Sequence, residues 1–285
     1  MNENIKKRIA DEESGYENAL MTASEAVIRS DDIKIILITG GSCAGKTTTT
    51  KKLAGYISAG GRKCHTVSID DFYKNPADIP LAADGTRDFE SISSIDLEYL
   101  HECISRLVTG REAHLPVFDF IRKRRDDDYR AVTLGPRDVV IIEGLHALNP
   151  VIYDRFADKK NIYGIYLYTH STRVSEPRLL RRLVRDFYYR DSSAENTFSM
   201  WESVKNGEKL NIEPYSEQAD MKINTYFHYE KSCFVDDARR ILSALPSESR
   251  YRSMADALLE QLDGVEQIDI ALVPEDSLLR EFLKY

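Results

Sequence analysis

The sequence predicts an α/β protein, a mostly parallel β-sheet covered by helices on both faces. Three observations point there. Residues 33–39, 138–142 and 163–168 are short runs, apolar almost throughout, as strands buried on both sides must be. Stretches with apolar residues three and four apart alternate with those runs. Between the first run and a helical stretch, residues 40–47 read Gly-Gly-Ser-Cys-Ala-Gly-Lys-Thr, the pattern G-x-x-x-x-G-K-[ST].

Residues 1–30 are polar and helix-prone, a helical lead-in with sparse apolar positions at Ile5, Ile9, Ala19, Leu20 and Val27. The core starts at Ile33. After the glycine-rich loop, Leu53, Ala54 and Ile57 keep helical spacing up to Gly60-Gly61. A second strand, 63–69, ends in Asp70-Asp71. Leu97, Leu100, Ile104 and Leu107 mark a helix that stops at Gly110. Residues 114–121 and 129–134 read as the arms of a β-hairpin, with the charged stretch 122–128 as its solvated tip. Residues 138–142 form a strand ending at Glu143-Gly144. After strand 163–168 comes a helix over 178–185, capped by Ser175 and Glu176 with Pro177 in its first turn. Residues 229–285 read as two or three helices, the last started by Pro274-Glu275-Asp276. The chain thus divides into a lead-in (1–30), a core (31–228, hairpin about 113–135, lid about 175–215) and a C-terminal helical extension (229–285).

At 285 residues with 42% hydrophobic and 30% charged side chains, the chain suits a soluble globular protein with a sizeable core. Its net charge of −8 argues against broad nucleic-acid binding. The 4 cysteines have neither C-x-x-C nor metal-ligand spacing, and there is no signal-peptide pattern or long apolar segment. A reducing cytoplasm is the expected location, with no membrane partner.

The glycine-rich pattern carries mechanical meaning in this context. Strand, loop and helix place backbone N–H groups from Gly40, Gly41, Ser42, Cys43, Ala44, Gly45, Lys46, Thr47 and Thr48 near a helix N-terminus, where the dipole favours an anion. Lys46 then reaches the β- and γ-phosphates of a nucleoside triphosphate, and the Thr47 hydroxyl ligates Mg²⁺. The fold expected is that of the P-loop NTPases. Transfer of a phosphoryl group to an alcohol needs a carboxylate to orient the hydroxyl and take its proton. Asp70 or Asp71, at the strand edge where open α/β sheets bind ligands, fits that need. Glu143, aimed from the end of a buried strand, suits a place near the metal. Arg178, Arg182 and Arg185 share one helix face, with Arg190 shortly after, and would neutralise charge on the transferred group. Phe118 and Phe120 offer aromatic faces to a flat ligand, and Lys123 and Arg124 lie near enough to touch a substrate.

Taken together, residues 40–47, the stretch Ser68-Ile69-Asp70-Asp71-Phe72-Tyr73, Asp88-Phe89-Glu90, Pro116-Val117-Phe118-Asp119-Phe120, 139–144 and Arg181-Arg182-Leu183-Val184-Arg185-Asp186 resemble the uridine kinases of the uridine kinase / phosphoribulokinase family, in the family's order. The likeness covers roughly residues 33–225. Asn211-Ile212-Glu213-Pro214-Tyr215 and Ala219-Asp220 resemble bacterial nucleoside kinases of the same superfamily.

The resemblance implies ATP as phosphoryl donor and Asp70 as catalytic base. It places Glu90 where the family has an aspartate on the ribose hydroxyls. Arg182, Arg185 and Arg190 match lid arginines that meet substrate or phosphates, whereas Ser192 stands where one more arginine is usual. Tyr73 and Phe120 fall on the substrate side. Phe118 and Lys123 stand where uridine kinases put a tyrosine and a histidine to read the pyrimidine. Phenylalanine forms no hydrogen bond there and lysine only donates, so base selection should differ or relax.

The leading expectation is an ATP- and Mg²⁺-dependent kinase acting on the 5′-OH of a nucleoside. One alternative is a kinase for a polyol or phosphosugar, as in the phosphoribulokinase branch. Another is a nucleotide-binding regulatory protein, although the guanine-reading motif of GTPase switches is missing. The expected partner is a small-molecule acceptor, and self-association stays open.

Overall fold

The computed structural model of the chain describes residues 2–81, 85, 87–119, 122, 124–171 and 176–284. It opens with helix α1 (Asn2–Arg29), whose buried Ile9, Tyr16, Leu20, Ala23 and Val27 lie on one helical face. There follow β1 (Ile35–Gly40), α2 (Lys46–Ala59), β2 (Cys64–Ser68), α3 (Leu97–Val108), β3 (Ala113–Asp119), β4 (Arg124–Val132) and β5 (Val139–Glu143). Then come β6 (Ile162–Tyr168), α4 (Pro177–Tyr189), α5 (Ala194–Asn211), β7 (Met221–Asn224), α6 (Glu230–Ser243) and α7 (Arg252–Gln261).

The central sheet runs β2-β5-β1-β6-β7, and each neighbouring pair is parallel. Along β1, Ile36 and Ile38 enter the apolar cluster that also holds residues of α1, α2, α4 and α6. Ile35 and Leu37 point the other way, into the cluster with α3 and the hairpin β3–β4. Both faces of the strand are dry, which is why its sequence shows no alternation. The register sets up the site. Glu143 pairs with Ile38 on one side and Ser68 on the other, so β1, β2 and β5 end side by side at the C-terminal edge.

Several local expectations need correction. The charged stretch 122–128 is not all hairpin tip: Arg122 lies at the turn, but Arg124 to Asp128 belong to β4, paired with β3 from Ala113↔Val132 to Asp119↔Arg124. The hairpin turns Leu115, Phe118 and Val132 to the core and its other face to water, so charged residues fit within a strand there. Arg125 also anchors it, donating to the Phe72 and Tyr73 carbonyls at 3.0 and 3.1 Å and to Asp96 at 3.0 Å. The cap expected from Glu176 also fails. Ser175 lies outside the described residues, and Glu176, at φ 57°, makes no capping bond. Its carboxylate instead takes the Trp201 indole N–H and the Lys205 ammonium. The third C-terminal helix is only a 3-10 turn, Leu278–Glu281. No sequence pattern announced α5 or the four-residue edge strand β7.

The division into lead-in, core and extension stays a proposal. Residues of all three parts meet in one apolar cluster. Arg62, fully buried, joins the first two by donating to the carbonyls of Val27, Ser30 and Ile33 at 2.6, 2.7 and 2.6 Å.

Candidate active site

A cavity of about 370 Å³ opens at the C-terminal ends of β1, β2 and β5. One wall is the loop between β1 and α2. Gly45 has φ 84° and its Cα abuts Leu278, where a Cβ would lie 2.4 Å from Leu278 Cδ1, so glycine is required there. Cys43 is buried and also left-handed, at φ 61°. Ser42, Cys43, Gly45, Lys46 and Thr47 line the cavity. Lys46 Nζ donates to the Gly40 and Gly41 carbonyls at 3.0 and 3.2 Å. Gly40 is the last residue of β1 and Ala44 is fully buried, so these two shape the loop from behind. Gly41 faces a second cavity, of about 400 Å³, lined also by Tyr166, Arg178 and Lys222. The Thr48 hydroxyl donates a hydrogen bond to Glu281 at 2.7 Å.

Opposite the loop stand carboxylates. The 3-10 turn Ile69–Phe72 at the end of β2 turns Asp70 into the cavity. Asp71 is separated from it by function: its Oδ1 accepts the Phe118 N–H at 3.2 Å and so fastens the hairpin. Burial pushes the Asp70 carboxyl above the usual range, while Lys46 and Arg190 pull it back. Glu143, at the end of β5, accepts the Ser68 hydroxyl at 2.8 Å. Burial, reinforced by Asp70, pushes it up to about 7. Glu90 is likewise raised to about 7 by burial, against the opposing pull of Arg182. Gly207 of α5 packs on Glu90 where a Cβ would lie 2.7 Å from Glu90 Cβ. The Glu90 carbonyl accepts Asn211 Nδ2 at 3.3 Å, and its N–H reaches Asp88 at 3.1 Å. His146 lies buried against this segment, and burial lowers it to about 4, so the ring is neutral near pH 7.

Arg182, Arg185 and Arg190 complete the third wall. Asp186, itself buried, holds all three, at 3.3, 2.6 and 3.8 Å. Arg182 also donates to Ser42 Oγ at 2.8 Å, tying α4 to the loop. Arg178, expected in the same row, turns away. It forms a two-point pair with Glu208 at 2.6 Å and donates to the Ser42 carbonyl at 2.9 Å. Arg181 faces the core and pairs with Glu230 at 2.5 Å.

The acceptor side is aromatic. Tyr73 lies 5.9 Å, ring to ring, from both Phe89 and Phe118, and all three line the cavity. The Tyr73 hydroxyl donates to the Phe89 carbonyl at 2.8 Å, so its polar tip is engaged. Phe120 and Lys123 lie outside the described residues. Four cavity residues escaped the sequence: Phe89 stands inside a recognised motif, but Leu145, Met200 and Glu281 carry no pattern of their own.

The donor set fits a magnesium ion delivered with its nucleotide. The Thr47 hydroxyl and the Glu143 carboxylate line the same cavity, and among the described residues no trio of His, Cys, Asp or Glu forms a metal cage. Magnesium keeps several waters and phosphate oxygens and needs only one or two protein groups. Among the described residues no helix is long and apolar enough to cross a membrane.

Comparison with known proteins agrees with the fold. The family model described as Phosphoribulokinase / Uridine kinase family matches residues 35–229. A uridine kinase of Borrelia turicatae is 29% identical over 204 residues, 71% of this chain and 92% of that one. A uridine kinase of Halobacterium salinarum is 28% identical over 187 residues, 65% of this chain and 77% of the other. Among solved structures, YFH7 of Saccharomyces cerevisiae, proposed to be a P-loop containing kinase with a circular permutation, aligns over 74% of this chain and 97% of its own with a TM-score of 0.52 at 12% identity. That likeness shows the fold alone. With the phosphate loop, the parallel sheet and the family match in agreement, the chain belongs to the Phosphoribulokinase / Uridine kinase family.

Proposed function

We propose that the protein is an ATP-dependent kinase that phosphorylates the 5′-OH of a nucleoside. The observation that carries this reading is the position of Asp70, which lines one cavity together with Lys46 and Thr47 on one side and Tyr73, Phe89 and Phe118 on the other. A nucleoside base fits between aromatic faces, and its sugar then lies toward Glu90. The relatives named as uridine kinases support the same acceptor class.

In this reading the loop N–H groups and Lys46 hold the triphosphate at the positive end of α2. Thr47 and Glu143 would hold Mg²⁺, which would screen charge on the phosphates when bound. Asp70 orients the acceptor hydroxyl and takes its proton as the new P–O bond to the γ-phosphorus forms, while the bond from that phosphorus to the bridging oxygen breaks and ADP leaves. Ionised Glu90 accepts hydrogen bonds from the sugar hydroxyls. Arg182, Arg185 and Arg190 spread the charge developing on the transferred group, held in place by Asp186. The region about 175–215 serves as a lid that excludes water, the competing acceptor. A cytoplasmic setting goes with this chemistry.

One observation favours a second reading within the same class. Phe118 faces the cavity yet supplies no hydrogen bond from its side chain, so nothing at that position demands a pyrimidine. A polyol or phosphosugar would then be the acceptor. The test is ADP release from Mg²⁺·ATP against nucleosides, pentoses, phosphosugars and inositols. Acceleration by a nucleoside supports the first reading, and acceleration only by a sugar or polyol replaces it with the second. A flat panel with ATP still bound points to a regulatory nucleotide-binding protein.

A further inference from the structure

The family match ends at residue 229, yet the nucleotide cavity contains a residue from far beyond it. Glu281 sits on the 3-10 turn Leu278–Glu281, and its Oε2 accepts the Thr48 hydroxyl at 2.7 Å. Thr48 belongs to the first turn of α2, directly after Lys46 and Thr47. The segment carrying Glu281 is firmly seated. Leu278 packs on Gly45 of the loop, Phe282 lies under the Arg181 guanidinium at 5.4 Å, and the Leu283 carbonyl accepts the Tyr189 hydroxyl. Leu278, Leu279 and Phe282 are fully buried.

We propose that Glu281 is an affinity-setting residue of the nucleotide site, a built-in anion that competes with the nucleotide's phosphates for the start of α2. The inference rests on the reading of this cavity as the ATP site. The first turn of α2 attracts negative charge through its dipole and its unpaired donors. A carboxylate that already holds a hydroxyl there removes one donor from an incoming phosphate. It also sets a like charge against a polyanion in a partly dry cleft, where charges are poorly screened. Binding must therefore break the Thr48–Glu281 contact, and the apparent affinity is the intrinsic one multiplied by the fraction of molecules in which that contact is open. Because the segment also packs on Gly45 and α4, the C-terminal extension reports directly on the state of the loop.

The experiment is calorimetric titration of the full chain with Mg²⁺·ATP and Mg²⁺·ADP, for the parent, Glu281→Gln, Glu281→Ala and Glu275→Gln. Glu281→Gln keeps the size and an acceptor oxygen but removes the charge, and Glu281→Ala removes both. Both should bind nucleotide more tightly, roughly three- to thirtyfold, within the range spanned by one neutral and one charge-assisted hydrogen bond. Glu275→Gln, the same charge change at an exposed position of the extension, should match the parent. Unchanged or weaker binding in both Glu281 variants would overturn the proposal and leave the phosphate-loop reading intact. Equal tightening by Glu275→Gln would also overturn it, reducing the effect to net charge. If no chain, parent included, bound Mg²⁺·ATP, the ATP site and the inference would fall together.

Discussion

Asp70 and Asp71 are chemically identical neighbours, and their surroundings separate them. Asp71 spends an oxygen on the Phe118 N–H, while Asp70 faces the phosphate loop across the cavity. Asp70→Asn should therefore lower kcat by about 10²–10⁴, the usual worth of a positioned base. The Kd for Mg²⁺·ATP should stay within about twofold. Single-turnover kinetics beside calorimetry checks this, and equal loss of both would make Asp70 a structural residue. Glu90 yields a prediction of a different kind. Its carboxyl is raised to about 7 by burial, so between about 4.5 and 7 the folded state binds more protons than the unfolded one. Its contribution to stability accordingly falls as pH rises through that window. In Glu90→Gln the penalty is gone, so the variant's Tm relative to the parent should rise by on the order of 3 °C from pH 5 to pH 8. A Tm difference flat with pH would show that Glu90 is ionised throughout.

At the scale of elements, α4 works on two sides at once. Its cavity face carries Arg182 and Arg185, and its core face carries Arg181, fully buried against Glu230 of α6. Breaking such a pair leaves a charge in the interior. Arg181→Ala should cost about 3–5 kcal/mol in denaturant unfolding, and Glu230→Gln should cost somewhat less because it keeps an acceptor. A loss below about 1 kcal/mol would mean that water or another group replaces the partner. The amphipathic pattern of α4 was legible in sequence, but not which partner each arginine would meet, since consecutive ones lie about one turn or less apart. Arg178 shows the limit best: it is captured by Glu208, and α5, which carries Glu208, announced itself by no periodicity. The loop 40–47, β1 and β5 were legible because a two-sided buried strand and a phosphate loop each admit few residue types. The strand character of 124–128 was not, because a hairpin with one wet face accepts charge. Glu281 was beyond reach for another reason. Its place in the cavity depends on where a tail some 230 residues away in sequence returns, and no local pattern encodes that.

For the molecule as a whole, the packing predicts one cooperative unit despite the three-part look of the sequence. Helix α1 presents Leu20 and Val27 to the same cluster that receives Phe198 of α5, Phe234 of α6 and Phe282 of the tail. Polar ties run in parallel, with the Tyr16 hydroxyl on Thr49 of α2 at 2.7 Å and Glu13 taking both the Tyr229 and Ser277 hydroxyls. A helix held on so many sides cannot melt alone without exposing the back of the phosphate-loop helix. Leu20→Ala, at a fully buried site, should cost about 2–5 kcal/mol and lower a single unfolding transition seen alike by circular dichroism and by the fluorescence of Trp201 in α5. Two transitions, with Trp201 unchanged through the first, would show that the lead-in folds on its own account. A single one would mean that any change loosening α1 or the tail also loosens the loop that grips the nucleotide.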